Sequence, residues 1–150
     1  MRIFNGVEEL TAAVGETLGE SEWEVVDQAR INAFADATGD HQWIHVDVEK
    51  AKQGPFGTTI AHGLLTLSLL PLFLQQISRV DGVRMAINYG FDRVRFPTPV
   101  PAGSRLRGVA KLVEVSQLEG AVQAKLTTTI EIEGGAKPAC VAESIVRYMI

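Results

Sequence analysis

The stretch Ile60–Ser78, IAHGLLTLSLLPLFLQQIS, decides how this chain is read. Leu64, Leu65, Leu67, Leu69, Leu70, Leu72, Phe73, Leu74 and Ile77 leave no polar face wide enough to meet water. A helix apolar on all sides is either a membrane span or the buried axis of a globular core. At about 1.5 Å per residue the segment reaches roughly 28 Å, barely the hydrocarbon thickness of a bilayer. It also carries His62, Gly63, Thr66, Ser68, Pro71, Gln75 and Gln76, which lipid penalises. The expected element is therefore a long buried helix, opening at His62-Gly63. Pro71 lacks an N–H and crowds the carbonyl of Leu67, which predicts a kink or break there.

Downstream the pattern changes to period two. Met85 to Phe96 reads as a strand with Ile87, Tyr89, Phe91 and Arg93 on one side. The proline-rich run Phe96 to Gly103 is a rigid connection, because prolines are excluded from a central ladder. Arg105–Ser116, Ala121–Glu133 and Ala139–Tyr148 follow as strands, separated by turns at Gln117–Gly120 and Gly134-Gly135, so these neighbours are expected to pair antiparallel. Val122, Ala124, Leu126, Thr128, Ile130 and Ile132 share one apolar-leaning face.

Upstream, residues 1–19 give only weak turn signals, and Glu20–Val26 alternates as a strand around Trp23. Asp27 is placed to cap a helix over Gln28–Thr38, with Gly39 suited to its left-handed end. From Gly39 to Thr59 the periodicity fails apart from one helical turn at Val48–Lys52. That segment holds Trp43, Ile44, Val46 and Phe56, too apolar for disorder, so it is expected to be packed and functional. The sum is an α+β chain, an antiparallel sheet of about five strands curled around a long central helix. Residues 1–150 read as one domain without repeat or linker.

Composition narrows the partners. The net charge of −4, from 14 basic and 18 acidic residues with no basic cluster, argues against nucleic acid. A hydrophobic content of 46% is that of an ordinary globular protein, and no membrane role is expected. The start, MRIFNGVEEL, turns acidic before any apolar run, unlike a secretory leader, so a cytoplasmic location is expected. Cys140 is the only cysteine and reads as a small buried hydrophobe in a strand.

The polar cluster with most chemical content is Gly39-Asp40-His41-Gln42-Trp43-Ile44-His45. Asp40 and His45 are five apart, a spacing that shares no face on a helix or a strand, so only a curled loop brings both to one point. There a carboxylate and an imidazole can share one water, one taking its proton and the other donating to a substrate atom. Read alone, the same residues also fit a turn cap and a packing histidine. Ala61-His62-Gly63 offers a second feature, since Gly63 lets a carbonyl oxygen approach its N–H closely. The alternative there is close packing at Gly63 and a capping or packing role for His62. His41, His45, Asp40 and Asp47 are a weak metal set, and no metal is expected. No G-x-S-x-G elbow occurs, and Arg84, Arg93, Arg95, Arg105 and Arg107 read either as an anion contact or as a solvated face.

Together these residues resemble the MaoC-like hydratases, the (R)-specific enoyl-CoA hydratase family of the hot-dog fold. Phe34, Gly39-Asp40, Ile44-His45 and Ala51 stand at its hydratase motif. Phe56-Gly57 to Ala61-His62-Gly63-Leu64-Leu65 is similar to its second block, and Tyr89-Gly90, Arg95-Phe96, Pro99-Val100 and Gly103 to its third. Gln42-Trp43 departs from the usual Asn-Pro, as in the branch that includes nodulation-protein-N-like sequences. The resemblance implies reversible hydration of a trans-2-enoyl-CoA to an (R)-3-hydroxyacyl-CoA. His45 would deprotonate the water, Asp40 would position it and protonate C2, and the Gly63 N–H would hold the thioester oxygen. His62, Gln42, Trp43 and Gly90 would line the substrate site. The resemblance implies no cofactor beyond the coenzyme A of the acyl-CoA substrate, and a homodimer joined by sheet edges. Hot-dog thioesterases and non-catalytic acyl-thioester binders share the scaffold and are the competing classes.

Overall fold

A computed structural model describes residues 1–150. In chain order the elements are β1 (Arg2–Phe4), α1 (Val7–Ala12), β2 (Thr17–Glu20), β3 (Glu24–Val26), α2 (Gln28–Thr38), α3 (Trp43–Val46), α4 (Val48–Lys52), α5 (Gly63–Ser68), α6 (Leu70–Ile77), β4 (Ser78–Val80), β5 (Met85–Arg95), β6 (Ser104–Leu118), β7 (Ala121–Ile132) and β8 (Cys140–Met149). The period-two stretches build an antiparallel sheet in the order β2-β6-β7-β8-β5. Its sixth strand, β3, pairs with β6 beside β2, so two short strands share one edge. The β6–β7 and β7–β8 pairs are antiparallel as their turns require. β1 and β4 form a small parallel pair at the margin. No helix is long and apolar enough to cross a membrane.

The concave face of the sheet holds the core. Val122, Ala124, Leu126, Thr128 and Ile130 on β7 are all buried, the face their spacing predicts. Against them lie Leu65, Leu70, Phe73 and Ile77 of the central segment. A helix laid in a curled antiparallel sheet is the hot-dog arrangement.

The long helix is in fact two short ones. α5 ends at Ser68, Leu69 keeps a helical backbone, and α6 starts at Leu70 with Pro71 in its first turn. Proline fits there because first-turn N–H groups have no intrahelical acceptor. The segment is also not buried all round: Leu64 is 64% exposed and Leu67, Leu72 and Leu74 are half-buried.

β5 departs from simple alternation. Its ladder with β8 shifts between Asn88 and Gly90 and again between Phe91 and Arg93. Each bulge reverses the parity of the residues beyond it. Ile87 and Arg93 oppose Arg147 and Glu143 on the convex face, but Phe91 opposes the buried Ser144 on the concave one. The expected grouping of Ile87, Tyr89, Phe91 and Arg93 on one side is corrected accordingly.

Candidate active site

α2 begins and ends where its sequence directs. Asp27 accepts a hydrogen bond from the Arg30 N–H, and Gly39 closes the helix at φ 81° with its N–H on the Ala35 carbonyl. That left-handed residue turns the chain so that Asp40 leaves the helix into an exposed loop. The Asp40 carboxylate accepts from the Gln42 N–H at 3.3 Å. The Gln42 carbonyl accepts from the His45 N–H at 3.0 Å, opening α3. Periodicity cannot reveal a helix of four residues, which is why this stretch reads as irregular.

His45, only 6% exposed, is the buried residue of α3. Its Nδ1 lies 2.7 Å from the Ile60 carbonyl oxygen. A carbonyl only accepts, so Nδ1 is the donor, and in the neutral imidazole Nε2 is the nitrogen that keeps a lone pair. That is the tautomer a general base needs. The Ile60 N–H returns a bond to the Ile44 carbonyl, locking the 60–62 segment to α3. Gln28 completes the clamp by donating to the His45 carbonyl at 2.7 Å and accepting from the Thr59 hydroxyl. Nothing in the sequence singles out Gln28.

The segment locked to α3 continues into His62-Gly63. His62 is 3% exposed, stacks on the His45 ring at 3.9 Å between centroids with 24° between planes, and donates from Nε2 to the Asp40 carbonyl at 3.0 Å. Donor atoms of Asp40, His45 and His62 all fall within 4.8 Å of one another. The stack holds the two imidazoles in nearly parallel planes, whereas lone pairs on one metal ion must converge. His41 and Asp47 stand apart: His41 pairs with Asp36, which raises its pKa, and Asp47 caps α4.

Gly63 faces Phe96, whose ring would lie 3.2 Å from a Cβ at residue 63. Both border a cleft of about 280 Å³, lined by His45, Gly63, Thr66, Phe96, Thr98 and Pro99 among others. Thr66 is buried with an unpartnered hydroxyl, and no sequence signal singles out either it or Thr98. A larger cleft of about 360 Å³ lies at the far end of α6, against β5 and β8. Its titratable side chains are Arg79, which is paired with Asp81, and Tyr148, whose burial raises its pKa. Of the acid–base groups His45 lines the smaller cleft, and ligand atoms of Asp40 and His62 lie within 4.8 Å of its own, so the smaller cleft is the candidate site for chemistry.

Gln42, Trp43 and Gly90 are not brought to the cleft by this single chain. Gln42 serves the site through its backbone alone. Trp43 packs its ring on Gly54 and beneath the Lys50 ammonium, 4.6 Å from the ring centroid. Gly90 lies on β5 between the two bulges, with open space around it. The departure from Asn-Pro is absorbed locally. Gln42 sits at φ −56°, ψ 138°, the extended backbone a residue before proline adopts, and Trp43 takes the first helical position that suits proline. Arg105 and Arg107 are committed to Glu133, Glu131 and Glu20 and to the Trp23 ring. Cys140 is buried, which pushes its thiol up to about 11, so it offers no thiolate.

A hot-dog scaffold with an imidazole and a helix-opening glycine lining one cleft, and a carboxylate close to the imidazole, fits a class of acyl-thioester enzymes. The chain belongs to the MaoC-like dehydratase family, whose MaoC like domain model matches residues 9–134. It is 61% identical over 150 residues to 3-hydroxyacyl-thioester dehydratase Z of Mycobacterium tuberculosis (strain ATCC 25618 / H37Rv), covering 99% of each chain. It is 48% identical to Nodulation protein N of Rhizobium leguminosarum bv. viciae over 141 residues, 91% of this chain and 87% of that one. Among solved structures it is similar to the (R)-hydratase from A. caviae involved in PHA biosynthesis. That match has a TM-score of 0.70 and 26% identity, covering 89% of this chain and 94% of that one.

Proposed function

We propose that this protein reversibly hydrates a trans-2-enoyl-CoA to an (R)-3-hydroxyacyl-CoA. The observation that carries the reading is His45: it lines a cleft together with Gly63, its Nδ1 is engaged by the Ile60 carbonyl, and it has a ring nitrogen within 4.8 Å of an Asp40 carboxylate oxygen. Water binds between Asp40 and His45. Its oxygen forms a bond to C3 while His45 takes its proton, and the C2=C3 electrons shift onto the thioester oxygen. The Gly63 N–H donates to that oxygen as charge develops. The proton on His45 passes to the Asp40 carboxylate, which delivers it to C2, so both groups end as they began. Coenzyme A enters as part of the substrate, and the reaction calls on no further cofactor. Dehydration is the same path reversed, which fits the name of the 61% identical relative.

The assembly in this proposal is a homodimer. β5 is an outer strand of eleven residues, and its far edge is unpaired. Met85, Ile87, Tyr89 and Phe91 along it are each more than two-fifths exposed. An edge of that length and apolarity is a template for a second strand. Static light scattering is expected to give twice the 16.3 kDa chain mass at micromolar concentration; the single-chain mass contradicts the assembly.

The function is tested with a short trans-2-enoyl-CoA. Conjugated-enoyl absorbance is expected to fall without release of free thiol. Thiol appearing at the same rate indicates thioester hydrolysis instead, and binding without either signal indicates a non-catalytic binder.

A further inference from the structure

We propose that His62 is the positioning residue that sets acid and base against each other, an inference that rests on the hydratase reading. As a substrate contact His62 is poorly placed. It is 3% exposed, and its Nδ1 is buried without a partner, so that nitrogen meets neither solvent nor a molecule in the cleft. Two of its contacts are to the acid and the base. The face of the ring lies on His45, and Phe34 of α2 packs on it at 4.9 Å and 55°. The Nε2–H donates to the main-chain carbonyl of Asp40, 22 residues away in sequence.

That bond matters because little else holds Asp40. Its side chain is exposed and takes only the 3.3 Å contact from the Gln42 N–H, and the preceding Gly39 is a glycine in the left-handed region. The bond from His62 pins the loop at the residue that carries the acid. The base is constrained twice: the Ile60 carbonyl fixes the edge of the His45 ring, and His62 fixes its plane. One side chain thus references both catalytic groups to the residue that precedes Gly63. A shift of about 1 Å in such a constellation can cost about 10²-fold in rate.

The two halves of the contact are separated by two variants. His62→Phe keeps a stacking ring and removes the donor; His62→Gln keeps an N–H donor and removes the ring. With a short trans-2-enoyl-CoA, His62→Phe is expected to lower kcat by about 10–100-fold with KM within about twofold and thermal stability close to that of the parent. His62→Gln is expected to recover at least about a third of the parental kcat. In an Asp40→Asn background His62→Phe is expected to add less than about threefold, because a residue acting through Asp40 has nothing left to position. A His62→Phe enzyme at parental rate, or a full additional loss in the Asp40→Asn background, overturns the proposal. A readout independent of turnover is the imidazole 15N spectrum. It is expected to show His62 as the Nε2–H tautomer and His45 as the Nδ1–H tautomer. The opposite tautomer at His62 rules out the bond to Asp40 even if hydration proceeds, whereas correct tautomers without hydration reject the hydratase reading alone.

Discussion

The two helices of the central segment lie on the same sheet but are put to opposite uses. α6 buries Leu70, Phe73 and Ile77 against apolar strand residues and has no titratable side chain of its own. α5, by contrast, starts at a cluster of two buried, stacked imidazoles and a carboxylate, and two of the buried polar groups there, the His62 Nδ1 and the Thr66 hydroxyl, have no partner. Burying an unpartnered polar group costs free energy, about 1–3 kcal/mol each in mutational data. The apolar end supplies stability, and the polar end gives some of it up to hold reactive groups in place. The break at Leu69, set by Pro71 in the next turn, lets one segment do both without a continuous apolar cylinder.

Substitutions at the two ends are expected to separate cleanly. At the polar end, Asp40→Asn and His45→Gln preserve size and hydrogen bonding but remove acid or base. Each is expected to slow hydration by about 10²–10⁴-fold with the melting temperature nearly unchanged. Near-parental rates in both variants would make these residues structural. At the apolar end, Phe73 of α6 is fully buried against the sheet, so close to Gly108 that a Cβ there would fall 2.8 Å from the Phe73 Cβ. Phe73→Ala is expected to lower unfolding free energy by about 3–5 kcal/mol in urea titrations, with kcat of the remaining folded enzyme within a few-fold of the parent. A loss of kcat comparable to that of the Asp40 variant would show that the two ends are not independent.

The parts legible in the sequence are those whose signals are local and repeat. Asp27 and Gly39 mark α2 because each acts on its own turn, through the bond to Arg30 and the left-handed cap. β6, β7 and β8 are legible because alternation runs through ten or more residues. β1, β2, β4, α1 and α3 are not, being three to six residues each, too few for a period. The bulges of β5 leave no trace in composition, so the side on which Phe91 lies cannot be counted off. Asp40, His45 and Gly63 stand out through the motif resemblance, and they are drawn together by contacts between residues 15 and 22 apart. The roles of Gln28 and His62 are the least legible, because each depends on partners that only the folded loop assembles.

The claim at the centre is that Asp40 and His45 act on the substrate from one side, since a carboxylate oxygen of Asp40 and a ring nitrogen of His45 lie within 4.8 Å of each other. The direct test is hydration of a short trans-2-enoyl-CoA in deuterium oxide, with the relative configuration of the deuterium at C2 and the hydroxyl at C3 read by NMR. The geometry predicts syn addition, hydroxyl and deuterium on the same face, in a single (R)-3-hydroxy product. Anti addition, a mixture of C2 epimers formed at the initial rate, or an (S) product would contradict it.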